Sequence, residues 1–149
     1  MDDVRTTSTE GNLMTPTYTA AATSSGRDAR AVTSDGRLDL ELAFPKEMGG
    51  TGDGTNPEQL LAAGWAACFA TTMTLLAEDR GLDAKDVAVT AEISLVPAQS
   101  GFTLAAVLRV ELPEHLTGEA GHRLLEAAHR VCPYSRATQG NVPVELVIE

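Results

Sequence analysis

Two long runs of period-two alternation, set back to back, put the first limit on what this chain can fold into. Val87, Val89, Ala91, Ile93 and Leu95 fall on one side of the run Val87–Val96. Phe102, Leu104, Ala106, Leu108 and Val110 fall on one side of Phe102–Leu112. Successive side chains of a strand point to opposite faces, so each run reads as a strand with one apolar face. The P-A-Q-S-G between them is turn chemistry, and the pair predicts a long antiparallel hairpin with one face buried.

Helical signals flank this hairpin. Asn56-Pro57-Glu58-Gln59 predicts a helix start: Asn56 caps, Pro57 takes the first helical position, and Gln59 reaches back as a capping-box partner. The helix runs to about Arg80, with Gly81 as its stop. Thr117 is the expected cap of a second helix ending near Val131, with Leu124, Leu125, Ala128 and Val131 on one face. Earlier strands are expected at Tyr18–Thr23, Ala29–Thr33 and Arg37–Phe44, the last two joined by an Asp35-Gly36 hairpin turn. Gln139-Gly140-Asn141 is a turn before a final strand, Val142–Ile148. The order of strands, helix, hairpin, helix and strand lacks regular βαβ alternation and predicts an α+β fold. The Gly-rich M-G-G-T-G-D-G-T, residues 48–55, matches neither phosphate-loop pattern. Residues 1–16 are polar and patternless and read as a flexible tail before one domain over 17–149.

Composition narrows the partners. A formal net charge of -10 disfavours nucleic acid, which requires a basic face. No stretch shows the roughly 18 consecutive apolar residues of a membrane span, so no membrane role is expected. No secretory signal opens the sequence, and a cytoplasmic location is expected. His115, His122 and His129 lack the paired cysteine spacings of a zinc motif, and no metal is expected.

The two cysteines are the candidate chemistry. Cys68 lies in the apolar helical run A-A-G-W-A-A-C-F-A, and Cys132 ends a second one in H-R-V-C-P-Y-S. By its surroundings alone Cys68 reads as a small core residue. Cys132, beside Pro133 at a helix end, is better placed to move. With only two thiols, three readings stand: a redox pair that turns over, a sensor or binding protein that oxidises once, or a hydrolase using Cys68 with His129. Trp65, Phe69 and Met73 are either plain core or the wall of a pocket for an alkyl chain.

Two motifs separate these readings. G-T-N-P-E-Q-L-L-A-A-G-W-A-A-C-F (54–69) and A-A-H-R-V-C-P-Y-S-R-A-T-Q-G-N (127–141) resemble the organic hydroperoxide resistance proteins, a branch of the OsmC superfamily. Y-T-A-A-A-T-S-S-G-R-D-A-R-A-V-T-S-D-G (18–36) and the G-F that ends the hairpin turn match as well. The resemblance implies an OsmC-like fold, with antiparallel sheets wrapped around long central helices in an intertwined homodimer. It implies a thiol peroxidase that reduces organic (alkyl or lipid) hydroperoxides to alcohols. Cys68 then matches the attacking cysteine, Cys132 the resolving one, Arg27 the catalytic arginine and Glu58 its carboxylate partner. No bound cofactor is implied. The implied reductant is an external dithiol, the lipoyl group of a lipoylated protein, rather than glutathione or thioredoxin. Trp65 departs from the family's more frequent Tyr, and Arg136 and Gln139 depart from S-N-A-T-R-G-N.

The implied roles make chemical sense. A thiol of ordinary pKa, about 8.5, is mostly protonated at neutral pH, and apolar burial raises that value. A guanidinium such as that of Arg27 offsets this and steadies the alkoxide leaving the peroxide. Glu58 would hold Arg27 through a bidentate pair. Glu58 and Cys68, however, stand ten residues apart on one expected helix, roughly 15 Å along its axis. Either the helix breaks near Gly64 or Glu58 serves the Cys68 of a partner chain.

Overall fold

A computed structural model of the chain describes residues 15–27 and 29–149. The expected tail lies outside them except for its last two residues. The chain falls into two compact units, the first ending at Leu42 and the second spanning Ala43–Glu149.

In the smaller unit, β1 (Ala22–Ser25), β2 (Arg30–Thr33) and β3 (Asp39–Glu41) form an antiparallel sheet in that order. The Asp35-Gly36 turn forms as expected: the Asp35 carboxylate accepts the Thr33 hydroxyl at 2.7 Å and the Arg37 N–H at 3.0 Å. Two strands are shorter than their sequence patterns. β1 begins at Ala22 rather than Tyr18, because its partner β2 ends at Thr33, opposite Ala22. β3 covers only Asp39–Glu41 of the expected Arg37–Phe44, because β2 begins at Arg30, opposite Glu41.

The larger unit is built on α1 (Pro57–Asp79). Asn56 Oδ1 accepts the Gln59 N–H at 2.9 Å, and Pro57 opens the helix where its missing N–H costs nothing. The far end closes through Gly81, whose φ of 67° places it in the left-handed region. Leu82 there donates its N–H to Ala77 at 2.8 Å, the six-to-one bond of a glycine-terminated helix. The helix is unbroken through Gly64.

β4 (Ala88–Pro97) and β5 (Phe102–Glu111) pair antiparallel from Ala88↔Glu111 to Pro97↔Phe102, so the expected hairpin forms. β6 (Val144–Ile148) adds parallel to β5, giving the order β4-β5-β6. The alternation sorts the sheet's faces. Ala106, Leu108 and Val110 of β5 are buried, with Val89, Ala91 and Ile93 of β4 and Val144, Leu146 and Ile148 of β6 packed on the same core. At the hairpin tip Phe102, on the apolar face, is exposed, so that face is not covered along its whole length.

Trp65, Phe69, Met73 and Ala77 recur every four residues on α1, and all are fully buried. α2 (Glu119–Val131) adds Leu124, Leu125, Ala127 and Ala128. Val131, expected on that face, is the last residue of the helix and is 48% exposed. The residue capping α2 is Gly118 rather than Thr117. The Thr117 hydroxyl instead donates back to the Glu114 carbonyl at 2.8 Å and closes a 3-10 turn over Glu114–Leu116. A short helix, α3 (Pro133–Thr138), follows α2 and lies outside the elements expected from the sequence. The architecture is α+β, as expected.

The face of α1 opposite the buried stripe carries Ala63, Ala67, Thr71 and Leu75, all exposed. By length and composition α1 could cross a membrane, which corrects the expectation that no segment would. Its stripe from Trp65 to Ala77 is committed to the core instead.

α2 comes close to the turn before it at Gly121. A Cβ there would strike the Leu116 carbonyl oxygen and the Leu112 side chain, and the carbonyl is backbone that cannot swing aside. Gly121→Ala is therefore expected to lower stability by about 1–3 kcal/mol. Urea unfolding reads this as a lower midpoint at unchanged slope; an unshifted midpoint would refute the crowding.

Candidate active site

Cys68 and Cys132 meet. The Sγ atoms of Cys68 and Cys132 share a hydrogen bond across 3.6 Å, and both cysteines are free thiols. A disulfide bond is about 2.05 Å long, so closing one requires the sulfurs to approach by about 1.5 Å. Cys68 is half-buried, one helical turn after Trp65, while Cys132 is fully buried.

Cys132 occupies the junction of two helices. Its N–H donates to Ala128 at the end of α2, and its carbonyl accepts the Arg136 N–H of α3. The backbone there is extended, at φ -56° and ψ 125°, as suits a residue preceding proline. Pro133 then starts α3, which turns the backbone N–H of Tyr134 toward the Cys68 sulfur.

Three forces act on the ionisation of Cys68. Burial raises its pKa most, and Cys132 raises it further, because a hydrogen bond in which Cys68 keeps the proton and the charge of an ionised Cys132 both disfavour the Cys68 thiolate. The Tyr134 N–H opposes both by stabilising the thiolate. The balance lies above the ordinary thiol value.

The tyrosine is itself held. Its ring stacks on Trp65 with centroids 6.4 Å apart and planes 30° from parallel. Its hydroxyl occupies space that a side chain at Gly64 would fill, 2.7 Å from where a Cβ would stand. Next to it, the buried Ser135 hydroxyl accepts the Trp65 indole N–H at 3.3 Å. Sequence reasoning missed Tyr134 and Ser135. Pro133 after Cys132 was the available signal, since proline favours the first position of a helix.

The other expected residues stand elsewhere. Glu58, in the first turn of α1, lines an open hollow of about 360 Å³ with Pro45, Ala62, Ile93 and Leu95. Because α1 does not break at Gly64, Glu58 and Cys68 of one chain are held roughly 15 Å apart along the axis. Arg27 belongs to the smaller unit, exposed on the turn between β1 and β2. In that turn Ala29 adopts φ 44°, a left-handed conformation that costs a residue with a Cβ about 1–2 kcal/mol. Trp65, Phe69 and Met73 are core residues of the larger unit.

His129 makes no hydrogen bond to either thiol among the described residues. Its Nδ1 is buried without a partner, its ring lies 6.5 Å from that of Phe69, and burial lowers its pKa. No thiol–imidazole pair is formed. Among the described residues no group of three or more His, Cys, Asp or Glu could hold a metal ion.

An α+β unit with a pair of facing thiols between its long helix and the junction of two shorter ones defines a class, and comparison with known proteins agrees. The model of OsmC-like proteins matches residues 50–147. An organic hydroperoxide resistance protein of Xanthomonas axonopodis pv. citri is 44% identical, over 88% of this chain and 94% of that one. The crystal structure of an organic hydroperoxide resistance protein from Legionella pneumophila superposes with a TM-score of 0.82 at 41% identity, covering 91% of this chain and 99% of the other. A Vibrio cholerae structure described as a putative organic hydroperoxide resistance protein, with captopril in one active site, gives a TM-score of 0.84 at 39% identity, covering 92% and 95%. The chain belongs to the OsmC-like family, in its organic hydroperoxide resistance branch.

The sulfur separation makes a direct prediction. Treatment with the thiol oxidant diamide is expected to consume two thiols per chain and to form an intrachain Cys68–Cys132 disulfide, identified by peptide mass spectrometry. Oxidation that instead yields mainly chain-to-chain crosslinks would contradict the pairing.

Proposed function

We propose that this chain is a cysteine-based organic hydroperoxide reductase. Membership of the hydroperoxide resistance branch supports a role in resistance to these oxidants. The observation that carries the chemical reading is the 3.6 Å separation of the two sulfurs.

In this reading the Cys68 thiolate attacks the terminal oxygen of ROOH. The O–O bond breaks, the alkoxide takes a proton and leaves as an alcohol, and Cys68 becomes a sulfenic acid. The Cys132 sulfur then attacks the sulfenic sulfur, forming the disulfide and releasing water. A lipoyl dithiol carried by a lipoylated protein reduces that disulfide by thiol exchange and closes its own. The protein itself holds no cofactor and acts in the cytoplasm.

Arg27 provides the cation that keeps Cys68 ionised and neutralises the developing alkoxide, and Glu58 orients it. A homodimer supplies the geometry. The roughly 15 Å between Glu58 and Cys68 on one unbroken helix favours an active site that takes Glu58 from one protomer and Cys68 from its partner. The exposed stripe Ala63, Ala67, Thr71 and Leu75, three smaller residues and one large apolar one, offers a face on which the partner's α1 can lie.

The test is consumption of tert-butyl hydroperoxide with dihydrolipoamide as the only reductant. Multiple turnovers are expected, abolished in Cys68→Ser and reduced to a single oxidation in Cys132→Ser. Arg27→Gln is expected to slow the peroxide step by about a hundredfold or more. One stoichiometric oxidation in the wild type, without turnover, would replace the enzyme with a sensor. A monomeric mass by light scattering would refute the shared site.

A further inference from the structure

Trp65 does more in this chain than fill the core. Its ring is fully buried, yet its polar edge is used: the indole N–H donates to Ser135 Oγ at 3.3 Å, and Ser135 itself is 2% exposed. A buried indole N–H with a partner is satisfied, and a buried serine hydroxyl gains an anchor in the same bond. The face of the same ring carries Tyr134. Gly64, immediately before Trp65, leaves the space in which the Tyr134 hydroxyl sits. Two adjacent residues of α1 therefore grip two adjacent residues of α3, both in its first turn.

The grip has a chemical consequence, because that turn carries the N–H facing Cys68 Sγ. α3 has only six residues, too few to hold its position by helical hydrogen bonds alone. We propose that Trp65 is a positioning residue: through Ser135 and Tyr134 it holds the first turn of α3 so that the Tyr134 N–H meets the Cys68 sulfur. The inference rests on the reading of Cys68 as the reacting thiol and adds to it a residue that governs the thiol's ionisation.

The groups that bear on Cys68 within the larger unit are few. From the end of α2 comes the Cys132 thiol, and from α3 the Tyr134 N–H. His129 on α2 makes no hydrogen bond to Cys68 among the described residues, and Glu92 on β4 is paired with Arg109 at 2.6 Å. The Tyr134 donor is thus the contact there that favours the thiolate, and loosening it removes that contribution.

The experiment follows the pH dependence of Cys68 alkylation by iodoacetamide in the full chain, read at Cys68 by peptide mass spectrometry. Trp65→Phe keeps a ring against Tyr134 and deletes the donor to Ser135. Ser135→Ala deletes the acceptor and leaves the indole in place. Both variants are expected to move the alkylation midpoint to higher pH and to slow alkylation at pH 7 by about threefold to tenfold, a part of the tenfold or more that one hydrogen bond to a charged group carries. Trp65→Tyr, with ring and donor both present, is expected to recover part of the loss. A loss of thermal stability with the midpoint unmoved would make Trp65 purely structural and overturn the proposal, as would an unmoved midpoint in Ser135→Ala. Alkylation involves no peroxide, so a wild-type protein without hydroperoxide turnover would count against the reductase reading and leave this result standing.

Discussion

The seating of α1 on the sheet governs everything built around it. Trp65, Phe69, Met73 and Ala77 form one stripe, and its three large side chains each gain about 1.5–3 kcal/mol by burial. The stripe fixes the rotation of the helix about its axis, and a rotated helix would expose all four at once. Cys68 stands three residues after Trp65, hence just beside the stripe. It cannot reach the middle of the core or turn fully to solvent. Its half-buried state follows from the packing of its neighbours rather than from any preference of its own.

That position creates a conflict. Proximity to Cys132 requires burial, since Cys132 lies in the core. Burial and the second thiol both hold the proton on Cys68, and a protonated thiol is a poor nucleophile. One backbone N–H opposes them, and the net effect still raises the pKa. A reactive Cys68 needs a positive charge supplied from outside this local group, which is the place of Arg27 in the proposed mechanism. Arg27 stands in a turn with a left-handed alanine two residues on, and backbone strain of this kind often accompanies functional loops.

Much of this was legible in the sequence, for identifiable reasons. The hairpin could be read because alternation over ten paired residues sets both its register and its buried face. The ends of α1 could be read because Asn56, Pro57 and Gly81 each satisfy a specific backbone requirement. The lengths of β1 and β3 could not, because β2 decides where the ladder ends and the flanking residues are ordinary strand formers. Thr117 was a sound cap candidate, but it bonded into the preceding turn and left Gly118 to start α2. The thiol pair was expected only through a family resemblance, and its geometry needed the fold. The bond between Trp65 and Ser135 joins residues 70 apart, and no local pattern records it.

The short helix α3 shows why small elements resist sequence reading and still matter. Six residues give too few turns for a periodic signal, and their stability comes almost entirely from what they pack against. Here α3 packs on α1, and its two ends of contact serve one purpose. The residue before it, Cys132, holds a sulfur against Cys68, and its second residue, Tyr134, turns a donor to the same atom. Because the Cys132 N–H is bound into α2 and its carbonyl into α3, the backbone is fixed on both sides and the side chain is the freer part to move. An approach of about 1.5 Å between the sulfurs is a small side-chain displacement. The arrangement can therefore change redox state without dismantling the packing that created it.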